Sequence, residues 1–92
     1  MKPVAYSTLT PHERWQTRDA YVVAQEGKCY HCKSALSGQP ASEVASQAVT
    51  PRLYPDTFFK FPVHLHHDHE TGLTIGAVHS HCNAVLWEYH GE

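Results

Sequence analysis

Cys29-Tyr-His-Cys32 and His79-Ser-His-Cys82 are two ligand pairs with the same spacing. A two-residue gap lets both donors of a pair reach one ion from a single turn. Together Cys29, Cys32, His79 and Cys82 supply three thiolates and one imidazole, a closed tetrahedral set for structural zinc. Cys29 and Cys32 alone would also suit a redox pair. The second pair at matching spacing favours zinc. His31 and His81 lie inside the knuckles and are expected to point elsewhere. A second group follows the first pair: His66, His67, Asp68 and His69, with Asn83 directly after the last zinc ligand. Imidazoles beside a carboxylate and a carboxamide suit metal or proton chemistry. One group is thus structural in character and the other catalytic.

The elements that must position these groups can be read in outline. Thr10, Pro11 and Glu13 form a helix start: a capping hydroxyl, Pro at the first helical position and an acid three residues after the cap. This N-terminal helix, residues 10–26, is expected to stop at Gly27. Trp15, Val22 and Val23 are its expected core residues. Arg14 and Arg18 share a face and are expected to be solvated. Residues 1–9 read as an irregular arm. Residues 34–60 read as a long loop broken by prolines, with a short helical turn near 41–48. Phe61 to His67 reads as a strand, Glu70-Thr71-Gly72 as a turn, and Leu73 to Val78 as a second strand. A last helix runs from about His79 toward Tyr89. His64 and His66 would share one strand face and His67 the other. A bend at the strand end would bring His66 and His67 together, and the hairpin-to-helix turn would bring Asn83 across from His66.

Composition narrows the possibilities. A chain of 92 residues makes one domain, 1–92. A core this small commonly leans on a metal or disulfides. Three cysteines are an odd number for disulfides, and metal ligation accounts for them better. No signal-peptide core or membrane-length apolar run occurs. A cytoplasmic location without membrane association is expected. The formal net charge of −2 disfavours tight non-specific DNA binding, although a bound cation adds local positive charge. Nine histidines, most of them in the last third, are the pronounced bias.

The run Cys-x-x-Cys, then His64-Leu-His-His-Asp-His-Glu, a Gly, and finally Cys82-Asn83 resembles the HNH (ββα-metal, His-Me finger) endonucleases. It is most similar to the phage recombination endonuclease VII branch. The resemblance spans about residues 20–87 and is motif-dense over 64–83. It implies a small α+β, zinc-stapled ββα-metal domain with an N-terminal helix and its core at 61–90. It also implies DNA as partner and phosphodiester hydrolysis, by nicking or double-strand cleavage. His66 matches the first catalytic-metal ligand, His67 the general base, and Asn83 the last ligand or positioner of the same metal. Asp68 and His69 match flanking site positions, His69 as a phosphate contact or loop support. An imidazole ligand favours softer ions than Mg²⁺, so His66 predicts good use of Mn²⁺, Ni²⁺ or Co²⁺ beside Mg²⁺. Two positions depart from the branch. Ile75 stands where an Arg is common before Gly76, and Leu86 stands where an acid is common. A monomeric nickase is expected rather than an intertwined dimer, in a host cytoplasm if the gene is phage-borne.

The alternative is a non-catalytic zinc module that binds nucleic acid or protein. In that case His64, His66, His67 and His69 would share one structural ion. Trp87 and Tyr89 are expected to pack, and His12 and His90 to lie at the surface. Lys28, Lys33, Arg52 and Lys60 are expected to be solvated.

Overall fold

A computed structural model describes residues 1–91; Glu92, the last residue of the expected 1–92 domain, lies outside them. Helix α1 spans Pro11–Ala24. Its start has the expected chemistry: the Thr10 hydroxyl accepts from the Glu13 N–H at 3.1 Å, and the Glu13 carboxylate accepts from the Thr10 N–H at 2.9 Å. The helix ends through Gln25, and Glu26 and Gly27 both take positive φ to turn the chain into the cysteine knuckle. Tyr21 is the buried residue of α1, with Val22 packed against the core. The expected core residues Trp15 and Val23 are instead 58% and 79% exposed. Apolar character alone did not show which face of α1 meets the sheet, because the helix is only weakly amphipathic.

Strands β1, Val63–His67, and β2, Thr74–His79, form an antiparallel hairpin, followed at once by helix α3, Ser80–His90. This is a small α+β architecture. The hairpin turn is made by Asp68, whose Oδ1 accepts from the Glu70 and Thr71 N–H groups at 2.7 and 3.0 Å. Gly72 completes it at φ 73°. Tyr21, Cys29, Leu36, Ala77, Val78, Cys82 and Leu86 make the core.

The edges of this two-stranded sheet differ. Along β2, the Gln25 carboxamide imitates a strand: its Oε1 accepts from the Ala77 N–H at 2.8 Å and its Nε2 donates to the Ala77 carbonyl at 2.9 Å. Gly76 permits this approach, because a Cβ there would lie 2.8 Å from the same Oε1. The arm at residues 4–6 is also zipped to the hairpin rather than irregular. Thr74 N–H donates to the Val4 carbonyl and Tyr6 N–H to the Gly72 carbonyl, each at 2.8 Å. Among the described residues, the far edge of β1 has no strand partner.

The 34–60 segment is not a bare loop. It contains α2, Ser42–Ala45, and short 3₁₀ turns at Pro51–Leu53 and Phe58–Lys60. It is tied to α3. Tyr54 donates to the Glu88 carboxylate at 2.6 Å, Thr50 donates to it through N–H and hydroxyl at 3.0 Å each, and Tyr89 donates to the Ala48 carbonyl at 2.6 Å.

Candidate functional site

The four predicted zinc ligands converge. One ligand atom each from Cys29, Cys32, His79 and Cys82 lies within 4.8 Å of all the others, and three of the four residues are buried. His79 Nδ1 is 3.5 Å from the Cys32 sulfur and 3.6 Å from the Cys82 sulfur. A zinc ion with ordinary Zn–S and Zn–N bonds has a tetrahedral S-to-N edge of about 3.6 Å. His79 Nε2 lies 2.9 Å from the Ala35 carbonyl and donates to it, which leaves the Nδ1 lone pair for a metal. The crowding of three sulfurs shows in opposed thiol shifts. The Cys82 thiol donates to Cys29 and lowers its pKa to about 4, while Cys82 itself is pushed up by that contact and by burial. A divalent cation favours the thiolate at every position and removes the conflict. The cluster can therefore hold a metal ion such as zinc. His31 and His81 stand outside it, His31 with its ring against His90 and His81 bonded to the Val44 carbonyl at 3.0 Å.

Next to this cluster lies an open cavity of about 690 Å³ along the unpaired edge of β1. His64, His66, His67, His69 and Asn83 border it, together with Tyr6, Arg14, Trp15 and Arg18 from the arm and α1, and Phe58 and Phe61 from the preceding segment. The pairing slips between His66, opposite Gly76, and His67, opposite Thr74. β1 runs through His67 rather than ending near His66, and His66 and His67 both border the cavity. His66 is only 2% exposed.

His67 is held in a stack. The Tyr6 ring lies 3.9 Å from it and the His69 ring 4.8 Å from it, both tilted by 12°. Two near-parallel rings at these spacings must occupy opposite faces of the imidazole. Burial lowers the pKa of His67 from its ordinary value, with help from the neighbouring His69, His66 and Arg14. Such an imidazole is neutral near neutral pH and able to accept a proton.

Asn83 is oriented by His64, a residue outside the site predicted from sequence. His64 Nε2 lies 2.7 Å from the Phe58 carbonyl and must donate to it. Burial lowers the pKa of His64 and keeps the ring neutral. Its Nδ1 therefore accepts, and the Asn83 amide nitrogen at 3.1 Å donates to it. The Asn83 carbonyl oxygen is left for another partner. His64 shares a strand face with His66, so alternation was the signal available for it.

Asp68 does not border the cavity; its Oδ1 serves the hairpin turn, whose N–H groups lower its pKa. The arginines expected in solvent are half-buried and line the cavity. Lys28, Lys33, Arg52 and Lys60 are exposed and do not line it, as are the expected surface residues His12 and His90. Trp87 packs edge-on to Tyr54 but stays half-exposed.

No protein family, curated protein or solved structure matches this chain.

Proposed function

We propose that the chain is a metal-dependent DNA endonuclease of the HNH type, hydrolysing phosphodiester bonds at the β1-edge cavity. The observation that carries this reading is the meeting of His66, His67 and Asn83 in one open cavity, with the Asn83 amide turned by His64. His67 acts as general base, taking the proton of the attacking water. Its stack with Tyr6 and His69 fixes the ring plane and leaves the in-plane nitrogens available. His66 and Asn83 fit a divalent cation by donor chemistry, one buried imidazole and one uncommitted carbonyl oxygen. Bound there, Mg²⁺, Mn²⁺, Ni²⁺ or Co²⁺ would supply electrostatic stabilisation of the charge that develops on phosphate and on the leaving oxygen. The Cys29/Cys32/His79/Cys82 cluster carries zinc and holds the start of α3, and with it Asn83, against the hairpin.

The test is nicking of supercoiled plasmid with Mg²⁺, Mn²⁺ or Ni²⁺, wild type beside His67→Ala, with zinc content measured on both. Open-circle product that falls at least about a hundredfold in the variant, at unchanged zinc content, supports the reading. No cleavage by wild type in any metal, or equal cleavage by the variant, sinks it and favours a non-catalytic zinc module.

A further inference from the structure

Seven lysines and arginines are present, and two of them, Arg14 and Arg18, line the cavity. Their situations differ. Arg18 is already neutralised: its Nε and Nη2 donate to the Asp19 carboxylate at 3.1 and 2.9 Å. Arg14 forms no ion pair among the described residues. Its Nε is shielded from solvent and has no hydrogen-bond partner among the described residues. Its guanidinium lies over the Tyr6 ring, Cζ 4.2 Å from the centroid, and the other face of that ring covers His67. A stacked guanidinium keeps its N–H edges available for an acceptor and presents them as a rigid fork. A shielded donor without an acceptor costs free energy that an incoming anion would recover. β2 offers no cation here, since Ile75 and Gly76 face the same stretch of β1.

We propose that Arg14 is the phosphate-binding residue of this cavity, gripping a phosphodiester group of the substrate strand one ring away from His67. The inference rests on the hydrolase reading for its substrate class, and its test is separable from that reading. Binding of a fluorescein-labelled oligodeoxynucleotide is measured by anisotropy across a salt series. The protein is zinc-loaded His67→Ala, alone and combined with Arg14→Ala, Arg14→Lys or Arg18→Ala. Arg14→Ala should weaken binding about tenfold or more and reduce the slope of log K against log salt by about one. Arg14→Lys should restore the slope but not the full affinity, because a point charge replaces a fork. Arg18→Ala should leave the slope unchanged. A fold defect does not mimic these results, because it lowers affinity without removing one charge from the salt slope. Should Arg14→Ala fail to fold, the Arg14→Lys and Arg14→Gln pair gives the same comparison.

An unchanged slope in Arg14→Ala, or an equal drop in Arg18→Ala, overturns the assignment while leaving plasmid cleavage by wild type to support the hydrolase reading. A lost slope without any wild-type cleavage keeps Arg14 as a phosphate site and sinks the hydrolase. No binding by the His67→Ala protein overturns the proposal.

Discussion

Cys82 is fully buried within the Cys₃His cluster, and Asn83, the next residue, borders the open cavity. Both sit on the first turns of α3, yet their surroundings differ. The knuckle after α1, the end of β2 and the start of α3 bring the four ligand atoms of the cluster together, so its donors face one another. The cavity lies where β1 lacks a strand partner, so its donors still face space large enough for a further ligand. The same residue types thus serve folding in one place and stay available for chemistry in the other. The difference follows from which sheet edge is covered. Gln25 covers β2; among the described residues nothing of that kind covers β1.

This contrast can be broken most severely at the closed end. Cys82→Ser should abolish zinc binding and cooperative folding together, since structural zinc contributes apparent free energies of about 10–16 kcal/mol in small domains. Elemental analysis and far-ultraviolet circular dichroism would show whether both vanish; a folded, metal-free variant would contradict the structural role.

At the open end, if the proposed nuclease reading holds, His64→Ala should leave zinc content and fold intact but weaken binding of the activating divalent cation about 10- to 100-fold, as loss of an orienting partner does. Titration of nicking activity with Mn²⁺ would measure it, and an unchanged titration would remove His64 from the site.

Gly76→Ala probes the covered edge. The added Cβ meets Gln25 Oε1 and the Tyr30 side chain, and about 1–3 kcal/mol of stability should be lost in urea unfolding. A neutral result would mean that the Gln25 bracket yields readily.

The smallest expected effect concerns pH. Burial holds the folded-state pKa of His64 below its ordinary 6.5. The unfolded chain therefore binds the proton first. The contribution is intact above pH 6.5 and is lost as pH falls from there toward the lowered folded value. Urea unfolding of wild type should weaken more steeply over that window than unfolding of His64→Gln. Parallel pH curves would contradict the burial argument.

How far the chain could be read in advance varied with the kind of signal. The Thr10 cap, the Gly72 turn and the two ligand pairs were legible because their chemistry is local: hydroxyl to N–H, positive φ at glycine, two donors per turn. The face of α1 is not legible in the same way: Trp15 and Val23 are apolar, yet both lie exposed. Asp68 looked like a site residue from its neighbours, but its nearest demand was the backbone of its own turn. The roles of Arg14 and His64 are not legible in the sequence because their partners, Tyr6, Phe58 and Asn83, are distant along the chain.

The sequence by itself determined which atoms could bind metal, where the helices begin and where the hairpin turns, because these depend on spacings of a few residues. The tertiary structure decided which imidazole orients Asn83, which arginine keeps its charge uncommitted and which edge of the hairpin stays open. Those outcomes depend on burial and on contacts between segments, whose energies exist only once the chain has packed.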